Sequence, residues 1–553
     1  MVAIIESCLL AICAGVAAVG YGSGVARLLR IYPNLGDRGI VGLLVFGFLG
    51  CVLHFVVALS IPVQIVVLAG GIIATVVLRR DIADDRALSF VGAAGLCLFV
   101  LLHRQAIATY DDGLYYLQTF KWNREFSVTL GLANLHGRLA YNSILFLIAP
   151  LTDSIEIGWI PNLLVVTFVM LSLWSRLRRI DPTDRPGNTQ YWFTALLLLM
   201  LVLGWVDGFG IWRADSVAAV LIPYWVALAL GFSRSDGTRT VFALLVISAV
   251  LAATIKVSAA PLLVLTMALG WFHRKEGLIS DIRVWGFSAA VLAAWMLHGF
   301  LLSGCAVYPI RPTCFAVSWA ASLEQVDHEK LAIQAWARHP WEPDFARVMQ
   351  DWSWFPEWFA LASQNRLMQL MAAGLASGAA AVALSGASVK KQANGDLAFV
   401  AVGLAFCLVF WFWSAPDLRF GRGFILASAL FGFSIAGAAW LHQKRFYSFI
   451  PQVLILLMIL FGLFSLVRLK VESFVFAAPD AATYQLRTMQ ATRLWVPRVG
   501  DQCWAHELPC TPYVNWTALA AIRWPAVWRY RHDPRLEPPA NWTPMPGLIS
   551  KAH

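Results

Sequence analysis

Charge is scarce in this chain. Asp, Glu, Lys and Arg make up 13% of its 553 residues, where soluble domains carry about a quarter. That scarcity excludes a fold organised around one water-surrounded core. Acid is the scarcer sign, with 32 Asp and Glu against 42 Lys and Arg and a net charge of +10. No soluble basic domain or Lys/Arg-rich arm gathers the excess, which argues against a nucleic-acid partner. Arginines at cytoplasmic helix ends account for part of it, and some on the far side would suit an anionic lipid or phosphate. Familiar chemical signatures are missing as well. No GxGxxG, P-loop, HExxH or nucleophile elbow stands in a credible setting. The first apolar stretch lacks a basic flank and continues as an ordinary span, so no cleavable signal peptide is expected.

What is abundant is apolar surface: 59% of residues are hydrophobic and 25 are Trp. Mean hydropathy is +0.67. The expected fold is an all-α polytopic membrane protein, a bundle of about 14 transmembrane helices at roughly 17–25 residues each. The spans fall near 2–25, 39–58, 61–78, 87–104, 158–175, 190–206, 214–232, 240–255, 257–272, 284–302, 367–388, 397–413, 422–441 and 448–467. Residues 1–467 would form this module, and 468–553 a small periplasmic C-terminal segment.

Basic residues sort into alternate loops. Arg27, Arg30 and Arg38, then Arg79 and Arg80, Arg176 and Arg179, Arg239, Arg274 and Lys275, Lys390 and Lys391, and Lys444 and Arg445 share one side. The positive-inside rule makes that side cytoplasmic. The opposite side receives a first large loop, 105–157, a second, 303–366, and the tail. The first should hold interfacial helices. Its apolar part, NSILFLIAPL, is too short to span and reads as interfacial or re-entrant. Cys305 and Cys314, and Cys503 and Cys510, fall on the same side, where short separations suggest two disulfides. A metal pair is the alternative, but each pair lacks two further ligands at finger-like spacing.

The chemistry-bearing candidates lie on that outer side. Asp111 and Asp112 open an aromatic-rich stretch, YDDGLYYLQTFKW; a carboxylate pair can divide base and orienting roles. Asp112 is placed ahead of Asp111 as the base. The alternative is a solvated turn. His136 and Arg138, in NLHGRLAYN, would hold a phosphate or sugar hydroxyl, unless they are a capping His and a snorkelling Arg. Lys256 sits between two spans with almost no loop, which is costly unless it is paired or meets an anion. Asp417, Arg419 and Arg422, in APDLRFGRG, make an anion site on a turn, or a structural ion pair. Asp207, Arg213 and Asp215 form a further polar cluster. No metal ligand set stands out, and a divalent cation is the one cofactor left open.

This layout resembles the GT-C glycosyltransferases of bacterial and organellar membranes. An acidic residue in the first large outer loop, interfacial helices after it, a Lys on a short outer turn and an Arg-aromatic turn are similar in both. Asp111 or Asp112 matches the acidic position, Lys256 the short-turn Lys and Arg419-Phe420 the Arg-aromatic pair. Three or four spans precede the acidic loop here, and the motif is DD; both depart from the usual pattern. YDDGLYYLQTFKW, NLHGRLAYNS, APDLRFGRG and CWAHELPCTPY also look like an uncharacterised bacterial family of multi-pass proteins. The first resemblance implies an inner-membrane enzyme that moves a sugar from a polyprenyl-phosphate donor to a glycan or lipid acceptor at the periplasmic face, with inversion. A transporter or flippase of lipid-linked saccharides, and an O-antigen polymerase or ligase, are the rival readings.

Overall fold

The computed structural model describes residues 2–82, 109–155, 158–180, 185–203, 212–232, 237–384 and 395–440. In the tail it describes 484–489, 492–514, 516–519 and 521–522, with a few isolated positions elsewhere. Among these residues, eight helices are long and apolar enough to cross a membrane. They are α1 (Val2–Leu29), α2 (Leu35–His54), α6 (Ile160–Leu177), α9 (Thr238–Ile255), α11 (Ile282–Ser303), α14 (Arg366–Leu384), α15 (Gly395–Ser414) and α16 (Leu418–Trp440). Shorter apolar helices lie between them: α3 (Ile61–Val77), α7 (Arg185–Val202), α8 (Ala214–Ala229) and α10 (Pro261–Phe272). The architecture fits an all-α membrane protein.

The expected count of fourteen spans is not what the described residues give. Four of the expected spans form helices at or below the length needed to cross hydrocarbon unaided. Two more, 87–104 and 448–467, fall almost entirely outside the described residues. The tail also departs from an all-α fold. β1 (Tyr484–Met489) pairs antiparallel with β2 (Thr492–Pro497), Tyr484 opposite Pro497 and Met489 opposite Thr492. Polar and apolar residues mix in this hairpin, as suits a strand pair outside lipid.

In lipid, helices associate through close packing rather than hydrophobic expulsion, so small residues mark the contacts. Gly374 and Gly378 of α14 meet Ala429 and Gly432 of α16 backbone to backbone, leaving no room for a Cβ. At the start of the chain Tyr21 donates from its hydroxyl to the Val67 carbonyl at 2.6 Å, tying α1 to α3. The NSILFLIAPL stretch forms α5 (Leu145–Thr152), buried on every side. It is therefore an internal short helix and does not lie on the bundle surface.

The helix ends carry two separate polar layers. At one, buried Asp37 accepts from the Arg176 guanidinium at 2.7 Å and from the Tyr224 hydroxyl at 2.7 Å. Nearby, Arg239 pairs with Asp281 at 2.7 Å and donates to the Leu29 and Arg30 carbonyls at 3.0 Å. The opposite ends of α8, α9 and α16 hold Asp215, Lys256 and Arg419.

Gly432→Val should force α14 and α16 apart, since the new side chain meets Gly374 backbone. A loss of about 1–3 kcal/mol is expected for overpacking. Thermal unfolding in detergent checks it against Gly286→Ala, whose Cβ meets open space. Equal midpoints for the two variants would show that this crossing does not govern stability.

Candidate functional site

The acidic pair stands at the start of a helix. Asp112–Tyr116 form one turn of π-helix that runs into α4 (Leu117–Glu125). A π-turn fits one extra residue into the turn and re-aims the side chains beside it. Adjacent on the helix, the two carboxylates point to different places. Asp112 turns inward and is fully buried. Its Oδ2 accepts from the Thr109 amide at 2.6 Å, and its buried Oδ1 has no hydrogen-bond partner. Asp111 stays half-buried and faces a cluster of cations.

Two arginines reach Asp111, Arg138 from the same segment and Arg419 from a distant one. Arg138 Nη1 lies 3.5 Å from one carboxylate oxygen and Arg419 Nη1 lies 3.4 Å from the other. Arg419 also approaches Asp417 at 3.3 Å, and its amide donates to Asp417 Oδ1 at 2.8 Å. Asp417 thereby satisfies an otherwise orphaned donor at the start of α16 (Leu418–Trp440). Lys256, at the end of α9, pairs with Asp215 at the start of α8. Its ammonium stands 4.2 Å from the centre of the Phe420 ring, and the Arg419 guanidinium stands 5.5 Å from it. Two cations thus share one aromatic ring, which attracts both through its quadrupole.

Most of the sequence-derived candidates therefore converge. Asp111, Arg138, Lys256, Asp417 and Arg419 form one connected surface, and Asp215 joins it through Lys256. Arg422 lies three residues on from Arg419 in the same helix, half-buried. Asp207 lies outside the described residues. His136 takes a different part: its Nδ1 accepts from the Arg138 amide at 3.0 Å, capping the short turn Gly137–Ala140. Burial pushes its pKa down to about 3, with the Arg138 charge adding to the effect. In this position the ring sets the Arg138 backbone.

Several partners had no sequence signal. Glu329, on α12 (Leu323–Arg338), lies 3.8 Å from Arg138 and accepts from the Tyr141 hydroxyl. Nothing in an amphipathic helix singles out one Glu. The tail closes against the acidic segment. The Trp504 amide donates to the Gly113 carbonyl at 2.7 Å, and Gln118 donates to the Trp504 and His506 carbonyls at 2.8 and 3.1 Å. Tyr110 donates its hydroxyl to Asp501. Gly113 is obligatory at this contact, because a Cβ there would lie 2.6 Å from the Trp504 indole. The disulfide Cys503–Cys510 brackets the loop that makes these bonds, and Cys305–Cys314 is also formed. Their closeness in sequence was the signal for both.

Burial pushes the Asp112 carboxyl up to about 6, against hydrogen bonds from Thr109 and the Arg213 charge, and with the help of Asp111. A group held there can take or release a proton near neutral pH. Burial likewise raises the Tyr115 and Tyr116 phenols, so both stay protonated beside Asp111. Among the described residues, no group of three His, Cys, Asp or Glu is arranged to hold a metal ion.

One protein-family description matches the chain, Domain of unknown function (DUF8201), over residues 1–426. No curated protein matches it, and no solved structure matches it. The matched range includes Asp111, Arg138, Lys256 and Arg419 and stops before the tail loop that covers Gly113.

The raised Asp112 pKa fixes a pH dependence. The free carboxyl titrates at 3.8 and the folded one at about 6. Between those values the folded chain binds more protons than the unfolded one, so stability falls as pH rises through the window. Asp112→Asn removes that loss. Unfolding midpoints measured from pH 4 to pH 7 should fall in the native protein and fall less in the variant. Parallel curves would mean that Asp112 does not hold its proton in the fold.

Proposed function

We propose, for a chain that belongs to the domain-of-unknown-function family DUF8201, a membrane glycosyltransferase using a polyprenyl-phosphate-linked sugar. The observation that carries the reading is the arrangement of Asp111 between Arg138 and Arg419, beside the Lys256–Phe420 contact. The carboxylate–guanidinium separations of 3.3–3.8 Å are loose beside a close bidentate pair at roughly 2.7–2.9 Å. Arg138 and Arg419 keep 35% and 46% of their side chains exposed. An incoming phosphate can therefore take the open donors of both forks. In doing so it frees Asp111.

Beneath these cations a small apolar gap lies between α8, α10, α15 and α16. Ile222, Trp225, Leu262, Leu404, Cys407 and Phe424 line it. Phe424 is five residues beyond Arg419, about 7–8 Å along the helix at its standard rise. That gap has room for about one water molecule, so the prenyl tail of a donor bound at Arg419 would lie in the surrounding lipid. A cationic cluster at the ends of apolar, spanning-length helices supports a lipid-linked substrate over a free sugar nucleotide.

In the reaction so read, the acceptor hydroxyl attacks the anomeric carbon while Asp111 takes its proton. The bond to the carrier phosphate breaks, and the electron pair leaves with the phosphate oxygen. Arg419, Arg138 and Lys256 stabilise the charge that grows there. Attack opposite the leaving group inverts the anomeric centre. The geometry favours Asp111 over Asp112 as the base, since Asp111 faces the cations and Asp112 is sealed behind it. Asp112 positions the turn and tunes its neighbour. Basic residues at the far helix ends, and two disulfides near the site, support a periplasmic site in an inner membrane.

Turnover of labelled polyprenyl-phosphate sugar by purified protein, read as release of polyprenyl phosphate, tests the proposal. Asp111→Asn should lower turnover about a hundredfold or more while donor binding survives. Arg419→Ala should weaken both. Movement of intact donor across vesicles without release would favour a flippase. Native turnover in Asp111→Asn and Asp112→Asn together would remove both carboxylates from the chemistry.

A further inference from the structure

Between α12 and α14 the chain is crowded with aromatics. Trp341, Trp352, Trp354 and Trp358 precede or open a short helix, α13 (Phe355–Gln364). One side of this segment packs on the outer end of α15: the rings of Trp358 and Phe412 are 5.3 Å apart. The rest faces outward. Trp341 is 82% exposed, Trp352 55% and Phe359 57%. Left in water, such a cluster is a costly apolar patch.

The surface beside it identifies what covers it. On α15, Val402, Phe406, Val409 and Trp413 recur at helical spacing and are all exposed. α15 is long and apolar enough to cross a membrane, so this stripe is its lipid face. Trp413, at the top, lies 6.4 Å from Trp352, ring centre to ring centre. The lipid face of a spanning helix therefore continues without a break onto the loop. Indole rings settle where an apolar body meets wet headgroups. A glycan platform would use similar rings, but it gains nothing from continuity with a hydrocarbon-facing stripe.

We propose that residues 341–364 are an anchor seated in the lipid headgroup layer, and that this anchor sets the depth of the cationic site. The connections to the site are direct. Trp358 Nε1 donates to the Pro416 carbonyl at 2.8 Å, and Trp411 Nε1 donates to the Asp417 carbonyl at 2.8 Å. Arg338 donates to the Trp413 carbonyl at 2.9 Å and lies 5.3 Å from the centre of the Trp354 ring. These bonds hold the turn from which Asp417 and Arg419 emerge. Arg338 also ends α12, the helix that brings Glu329 to Arg138. The anchor thus places both sides of the cluster at the level where a lipid headgroup lies, whatever reaction the site performs.

The test uses the full chain in phosphatidylcholine vesicles, with a dansyl amino acid at the Phe359 position and, separately, at Trp341. Glu324, exposed on the far end of α12, carries the same dye as control. Lipids brominated near the top of the acyl chain should quench both anchor positions at least twofold more than the control. Lipids brominated near the chain terminus should quench them less. Quenching equal to the control at both positions would return these rings to water and overturn the anchor. Strongest quenching by the deep bromines would overturn its placement in the headgroup layer. Size-exclusion profiles matching the native protein confirm that each labelled chain is folded, and the two positions guard against failure of one.

Discussion

Asp111 is a single carboxylate held between two guanidinium groups that the chain brings from far apart. Arg138 arrives from the same outer segment, after a helix and two short turns. Arg419 arrives from more than three hundred residues away, at the start of α16. Neither would be stable at a membrane edge alone, because a partly buried cation needs a partner or water. The carboxylate satisfies both, and the three together fix how α16 and the segment 109–141 meet. The Lys256–Asp215 pair extends the same logic to α8 and α9.

The rest of the bundle makes that arrangement possible by being nearly free of competing charge. In hydrocarbon each backbone polar group must find its partner within the segment, and the spanning-length segments among the described residues are helices. Charges are driven to the helix ends, and there they sort into two layers. The layer around Asp37 is tightly bonded, with distances of 2.7 Å to Arg176 and Tyr224. The layer around Asp111 is looser and partly open to solvent. Tight, closed ion pairs hold structure; loose, half-exposed ones leave donors that a ligand can claim. That contrast is the physical reason for placing function at one end of the molecule.

Cover over the site comes from two outer segments. The disulfide loop of the tail lies against Gly113 and Gln118 and closes the acidic turn from one side. The aromatic stretch 341–364 supports the Asp417 turn from the other. The family description ends at residue 426, so the tail loop lies beyond the matched region.

Much of this was legible in the order of residues. Composition and apolar runs dictated a helical membrane protein, because no other secondary structure satisfies its own backbone in lipid. Asp111, Arg138, Lys256 and Arg419 stood out as polar groups beside spans, where each needs a reason to be there. Short cysteine separations pointed to both disulfides. Other features depend on contacts that no local pattern encodes. Whether His136 binds a ligand or caps a turn is decided by where the Arg138 amide points. Which of two adjacent carboxylates faces the cations is decided by how that helix packs against Arg138 and Arg419. Glu329, Asp501 and Trp504 join the site only because helix packing and the tail fold bring them there. Several apolar runs became helices shorter than the run that suggested a span. Sequence alone determined the solvent each segment prefers, which is a property of its side chains. Tertiary structure decided which charges meet, because a pair separated by hundreds of residues has no energy until packing closes the distance.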